Sequence, residues 1–373
     1  MDVLEKAQEL EVLGENIIHL EVGEPDFDTP ECIKRAAQRA IEEGKTHYTH
    51  SLGLWELRDA IAQHYNAQYG LSVSAHNVIV TAGTSPAMFL VFAALINPGD
   101  EVILPNPHYA CYPNFIKFLG GTPVYVPLRE ENGFIYDIKE LKRYLTARTK
   151  AIVINSPANP TGMLTPAEVF KKLACLGIPL ISDEIYHGLV YEGKEHSALE
   201  FTKRAFVLNG FSKAYAMTGW RLGYLIAPKE FIRPIQKIQQ NFFICAPSIA
   251  QYAAIAALKE AQKDVVRMRQ TYDKRRRYVF KALKEMGIKL NTCPQGAFYF
   301  FINVKHFIRS VSGLPNSYAL AFDILKKVKV AVTPGVDFGQ MGEGYLRLSY
   351  ANSLEKIKEG LKRLKAYFGV HEN

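Results

Sequence analysis

Cysteine is scarce in this sequence and nowhere paired. The five residues, Cys32, Cys111, Cys175, Cys245 and Cys293, are odd in number, scattered, and never arranged as CxxC. That spacing argues against a disulfide framework and against a zinc site, and it suits a reducing compartment. Long hydrophobic runs are missing as well. The longest, Ala87 to Ile96, covers ten residues, about half of what a helix needs to cross a bilayer. The opening MDVLEKAQELE is amphipathic and charged, unlike a secretory leader. The expectation is a soluble, cytoplasmic protein with no membrane partner. Internal repeats, low-complexity tracts and long linkers are also lacking, so its parts are expected to pack tightly.

What is present is an ordinary globular composition. The 373 residues are 48% apolar and 22% charged, long enough to bury a large core and to form two domains. A net charge of +8 raises the question of a nucleic-acid partner. Its densest run, YDKRRRYVFKALK at 272–284, reads instead as the solvated face of a helix, with Tyr278 and Leu283 on the opposite, apolar face. No nucleic acid is expected, and the positive balance fits anionic small ligands.

The apolar pattern changes along the chain. Residues 32–43 and 54–69 carry helical spacing. From residue 78, short β-rich runs follow: VIVT (78–81), EVIL (101–104), PVYV (123–126), AIVI (151–154), PLIS (179–182) and AFVL (205–208). Helical segments at 85–96, 109–119 and 165–176 fall between them. This alternation predicts an α/β fold with a mostly parallel sheet covered on both faces. Beyond about 265 come a long charged helix, the strand GAFYFFINV (296–304), then VKVAVTPG and YLRLSY. A final amphipathic helix places Leu354, Ile357, Leu361, Leu364 and Phe368 on one side. The expected division is a large domain at 26–264 and a smaller α+β domain from 1–25 and 265–373.

Polar residues follow four of the strands, and in open α/β sheets such ends converge on ligands. AGTSPAM after VIVT offers Gly83, Thr84 and Ser85, whose backbone N–H groups can face an anion. SDEIY puts Asp183 at the end of a buried strand, either as a helix N-cap or opposite a cation, with Tyr186 three residues on. NSPANPTG holds Asn159 between proline-stiffened turns. FSKAYAMTGWRLGY places Lys213 eight residues before Arg221 in apolar surroundings. Burial and a nearby cation both lower a lysine pKa and yield the neutral amine that a Schiff-base nucleophile requires. Arg221 escapes the repulsion if it faces a dianion.

SPANPTG, SDEIY and FSKAYAMTGWRLGY, in this order, resemble the signature of class I aminotransferases of fold type I, which depend on pyridoxal 5'-phosphate. VGEPDFDTP, THYTHSLGLWELR and YLRLSY fit the same family, so the resemblance covers nearly the whole chain. It implies a three-layer αβα large domain and a homodimer with shared active sites. Lys213 resembles the lysine that binds the cofactor covalently and moves the substrate proton. Asp183 would face the pyridinium nitrogen, Asn159 and Tyr186 the phenolic oxygen, and Tyr109 of PNPHYACYP the ring face. Arg221, Ser212 and the N–H groups of Gly83, Thr84 and Ser85 would hold the phosphate. Gly210 stands where some members place a further phosphate-binding serine. Tyr48 matches the tyrosine that reaches the neighbouring subunit's phosphate, while Arg347 and Gly23 match the groups that take the substrate α-carboxylate.

The implied reaction moves an amino group between an L-amino acid and a 2-oxo acid, 2-oxoglutarate by family habit, in a ping-pong sequence. His47 stands where aspartate-selective members tend to have lysine, and THY resembles broad or aromatic-accepting members, so aspartate, aromatic and broad specificity all stay open. A C–S β-lyase of the same fold is the alternative, and DEIY in place of its DEIH-type motif favours transamination. Family members usually carry a further stretch ahead of the helix expected at the start of this chain, packed over the active site.

Overall fold

The computed structural model describes residues 2–310 and 314–369. Met1, 311–313 and 370–373, all assigned from sequence to the smaller domain, lie outside the described residues. The strands are β1 (Ile18–His19), β2 (Val78–Thr81), β3 (Glu101–Asn106), β4 (Thr122–Pro127), β5 (Thr149–Asn155) and β6 (Leu180–Asp183). They continue with β7 (Ala205–Gly210), β8 (Gly223–Ile226), β9 (Tyr299–Asn303), β10 (Val330–Ala331), β11 (Thr333–Pro334) and β12 (Tyr345–Ser349).

Seven of these form one sheet in the order β2-β8-β7-β6-β5-β3-β4. Side chains alternate across a strand, so a run that is apolar at every position must be covered on both sides. Val102, Leu104, Val153, Phe206, Leu208 and Leu225 enter a core on one face. Their sequence neighbours go to the other face: Ile103, Ile152 and Ile154 into one cluster, and Val207, Tyr224 and Ile226 into another. The helix Thr84–Leu95 packs in the first of these cores, through Ala87, Met88, Leu90, Val91 and Phe92.

All six strands expected from sequence form, and they run parallel to one another. The seventh, β8, was not expected. Its four residues, GYLI, are too short to stand out beside the FSKAYAMTGWR motif. It pairs antiparallel with both β2 and β7. Because it runs the other way, its first residue, Gly223, lies at the edge where its neighbours end, opposite Thr81 and Gly210.

Toward the C-terminus, β9 and β12 pair antiparallel over five residues, with β11 on the outer side of β12. Strand β10 pairs in parallel with β1, near the start of the chain. The last helix, Leu354–Tyr367, buries Ile357, Leu361 and Leu364, while Leu354 and Phe368 are half-buried.

The charged run 272–284 is not the solvated face expected from sequence. It lies in the helix Gln262–Glu285, but Arg275 and Arg276 are buried and Tyr278 is exposed. Helical spacing puts Tyr272, Arg275, Arg276, Val279 and Leu283 on the inner face. The arginines tolerate this because carboxylates meet them. Arg275 donates to both oxygens of Asp26 at 2.6 and 2.8 Å, and Arg276 pairs with Asp273 and Glu192 at 2.7 and 2.6 Å. Arg276→Ala is expected to lower stability by about 2 kcal/mol in urea titrations. That is less than a fully buried pair would lose, since Glu192 is 56% exposed.

Candidate active site

Five backbone segments meet at the carboxyl edge of the large sheet. Strand β2 runs through Ala82 and Gly83 into the helix Thr84–Leu95, β5 ends on Asn155, and β6 ends on Asp183. Strand β7 ends three residues before Lys213, and β8 begins two residues after Arg221. Together with the chain at Val22–Glu24 and with Arg347 on β12, they enclose a cavity of about 410 Å³.

Lys213 projects into this cavity, and its Nζ donates to the Gly23 carbonyl at 2.7 Å. Burial lowers its pKa to about 8. Glu24 and Asp183 oppose the shift, and the like charges of Arg347 and Arg221 add to it. In the cofactor-free protein, Lys213 should therefore be labelled by trinitrobenzenesulfonate with a midpoint near pH 8, below the ordinary lysines. The linkage has a definite sign. The folded state penalises the protonated amine, so this group costs stability below about pH 8. That cost is relieved as pH rises from the folded pKa toward the unfolded lysine value of about 10.4.

Asp183 is buried on the cavity wall. The Tyr112 hydroxyl donates to its Oδ2 at 2.6 Å and the Ile185 N–H to its Oδ1 at 3.3 Å. Burial raises its pKa, and these two hydrogen bonds hold it back. Asn155 braces the corner: its Nδ2 donates to the Asp183 carbonyl at 2.9 Å and its Oδ1 accepts the Asn159 N–H at 2.7 Å. The Tyr186 hydroxyl meets that of Tyr299 at 2.8 Å. Tyr109 lines the same wall and meets Tyr112 edge-on, ring centroids 5.4 Å apart.

At the β2 end, Thr84 and Ser85 line the cavity at the start of their helix, whose first N–H groups have no partner within the helix. Gly83 has φ +100°, and a Cβ there would lie 2.8 Å from Nη2 of Arg221. Glycine thus lets the guanidinium approach the turn closely. Arg221 itself sits in the left-handed region, φ +52°, with Nη1 donating to the Thr218 carbonyl at 2.9 Å. Ser212 lines the cavity beside it.

Arg347 is buried. It donates to Asn159 Oδ1 at 3.0 Å, to the Glu21 carbonyl at 2.5 Å and to Thr333 Oγ1 at 3.2 Å. Its guanidinium lies 4.4 Å from the Tyr299 ring centroid and 4.9 Å from that of Phe338. None of these partners carries a full negative charge, and Nε has no partner among the described residues. The arrangement is short of one anion.

Two residues expected at the site are not brought to it by the single chain. His47 and Tyr48 are exposed, Tyr48 at 81%, and neither lines the cavity. Gly83 stands behind the cavity wall, at Arg221. Tyr112, Asn155, Tyr299 and Glu24 were not singled out from sequence. Asn155, a polar residue closing the apolar run AIVI, carried a readable signal, and so did Tyr112, one turn after Tyr109. Tyr299 sits in an aromatic run that reads only as core.

The chain matches the family model "Aminotransferase class I and II" over residues 15–364. It is 46% identical to the (5-formylfuran-3-yl)methyl phosphate transaminase of Methanocaldococcus jannaschii, covering 98% of this chain and 95% of the relative. It is 42% identical to an aspartate aminotransferase of Pyrococcus horikoshii, covering 98% and 93%. The solved aspartate aminotransferase of Thermus thermophilus with maleate superposes with a TM-score of 0.92 at 40% identity, covering 98% of this chain and 95% of that one. These relatives are named as aminotransferases, so the C–S lyase alternative is not favoured. The family depends on pyridoxal phosphate in general. Among the described residues, no helix is long and apolar enough to cross a membrane. With a matching family model over nearly its whole length and this set of relatives, the chain belongs to the class I and II aminotransferases, and the protein is a transaminase.

Proposed function

We propose that the protein binds pyridoxal 5'-phosphate at Lys213 and moves the amino group of an L-amino acid to a 2-oxo acid, 2-oxoglutarate among them, by a ping-pong mechanism. One observation carries this reading: an amine near pKa 8, a buried carboxylate and an arginine short of an anion face one cavity. The residues fit the cofactor. Arg221, Ser212 and the N–H groups of Thr84 and Ser85 suit a phosphate, whereas the Gly83 N–H, expected there from sequence, already donates to the Thr81 carbonyl at 2.8 Å. Asp183 suits a protonated ring nitrogen, and Tyr109 provides a flat wall. When bound, pyridoxal phosphate supplies an aldehyde that condenses with amines and a ring that draws electrons from the substrate Cα.

The chain's own groups do the rest. The neutral Nζ of Lys213 takes the proton from Cα of the amino acid. Arg347 binds the α-carboxylate through its fork, helped by the backbone at Gly23, and so orients the Cα–H bond toward the lysine. Asp183, whose burial raises its pKa against the hydrogen bonds from Tyr112 and the Ile185 N–H, would face the ring nitrogen and keep a proton on it. Tyr186 and Asn159 meet the phenolic oxygen.

Tyr48, exposed in one chain, reaches the phosphate of the second subunit in a homodimer. His47 precedes it and is placed to meet the substrate side chain. We assign the two domains as 26–264 and 1–25 with 265–373, the cavity lying between them, and the cytoplasm as the location. The name of the Pyrococcus horikoshii relative supports an aspartate donor, and aromatic or broad donors stay open. A panel of amino donors against 2-oxoglutarate, pyruvate and oxaloacetate tests the specificity. Borohydride reduction of the cofactor-loaded protein, followed by peptide mapping, should place the cofactor on Lys213, and a label on another lysine would refute the assignment.

A further inference from the structure

We propose that His19, outside the cavity, is a positioning residue for substrate carboxylate binding: held between Glu11 and Glu21, it fixes the segment Glu21–Glu24, which in turn sets Arg347 and Lys213. The proposal rests on the reading of Arg347 as the carboxylate-binding arm.

The segment is anchored just past β1, with the Leu20 N–H donating to the Ala331 carbonyl at 3.0 Å and the Ser349 N–H to the Leu20 carbonyl at 2.6 Å, and the chain then bends at Glu21 and again at Glu24. Here the Glu21 carbonyl accepts from Arg347 Nη2 at 2.5 Å and the Gly23 carbonyl from Lys213 Nζ at 2.7 Å. The Glu24 carboxylate takes the Thr218 hydroxyl. One short segment therefore holds two of the site's cations, Arg347 and Lys213.

Its upstream anchor is the His19 ring. Nδ1 lies 2.7 Å from Glu21 Oε1, and Nε2 lies 3.0 Å from Glu11 Oε1 on the helix Asp2–Val12. Two carboxylates, one on each ring nitrogen, can both be satisfied only by an imidazolium, since neutral imidazole has a single N–H. The hydrogen bond to Glu21 is the largest cause of a pKa raised to about 9, against the opposing effect of burial. Cations on the neighbouring elements are already engaged: Lys329 with Glu15, and Arg363 with Glu359. Asn352 Nδ2 reaches the His19 carbonyl at 3.0 Å.

The need for this charge lies at Glu21. Its side chain is 6% exposed, and Oε2 is buried with no partner among the described residues. Such a carboxylate requires a counter-charge. The other cation at this residue, Arg347, bonds the Glu21 main-chain carbonyl and not its carboxylate. Without His19, Glu21 would carry a buried charge with no counter-charge, and a shift of its backbone to relieve that charge would move the carbonyls that hold Arg347 and Lys213.

The test uses the cofactor-loaded protein and succinate, a carboxylate that cannot donate an amine, with calorimetry as the readout. His19→Ala is expected to raise the succinate Kd about tenfold, as suits one misplaced charge. Cofactor retention should be unchanged. The double variant His19→Ala/Glu21→Gln should recover most of that loss, because it removes the stranded carboxylate. A role for His19 in stability alone predicts an unchanged succinate Kd in the folded single variant. His19→Gln serves as the single variant should the alanine protein fail to fold, with the same expectation. An unchanged Kd in the His19 variant, or a double variant as weak as the single, overturns the proposal. Arg347→Ala is run alongside. If it leaves succinate binding intact, the reading of Arg347 is what fails. If it abolishes binding while the His19 variants bind normally, only the role of His19 is lost.

Discussion

Lys213→Ala is expected to lower kcat by at least about 10³-fold, the range lost with a positioned general base. The fold should survive, because alanine removes a desolvated amine whose protonated form the folded state penalises. The substitution leaves Asp183, Arg221 and the Gly83–Ser85 turn in place, so the protein should still take up pyridoxal phosphate, though noncovalently. Two measurements separate this from unfolding or simple loss of cofactor. Gel filtration in excess pyridoxal phosphate should show retained cofactor, and the bound form should be removable by dialysis and inert to borohydride fixation. Single-turnover mixing with an amino donor should show the slow step at proton removal, as a primary deuterium effect at Cα. A variant with near-normal single-turnover rates would mean that another base serves, and Lys213 would be reduced to a tether.

The sequence made the strands of the large sheet readable because each is apolar at every position, which only a doubly covered strand sustains. Strand β8 escaped because four residues beside a motif-rich segment give no periodicity. It matters to the site nonetheless. By running antiparallel it returns Arg221 to the end of β2, beside Gly83, a proximity between residues 83 and 221 that no local pattern encodes. Two site residues were legible for related reasons: Asp183 stands out as a polar group where an apolar run stops, and Asn159 as an amide between proline-stiffened turns beyond β5.

Tyr299 and Tyr112 were not legible, since each sits among other aromatics and its role depends on a partner far along the chain. Arg275 and Arg276 were misread for the same physical cause. A charged helix face looks solvated until Asp26 and Glu192, which pair with it, are brought alongside. His47 and Tyr48 mark the other limit, because the single chain leaves both exposed and away from the cavity.

Arg347→Ala is expected to lower kcat/KM by about 10²- to 10³-fold, the loss associated with removing one partner of a buried, hydrogen-bonded charge pair. The effect should fall mostly on KM for both the amino acid and the oxo acid, since each presents a carboxylate to the same fork. Cofactor retention should change little, because Arg347 contacts Asn159, Glu21 and Thr333 and none of the groups assigned to the phosphate. Arg347→Lys separates charge from geometry. It keeps the cation but loses the planar fork, so it should recover only part of the deficit. The Asn159 amide, released from its 3.0 Å bond to Arg347, is the one route by which the loss could reach the cofactor. Asn159→Ala with Arg347 intact measures that route: its spectral change should be visible and its KM change small. A variant Arg347→Ala that loses cofactor while keeping its KM would place this arginine with the phosphate rather than with the substrate.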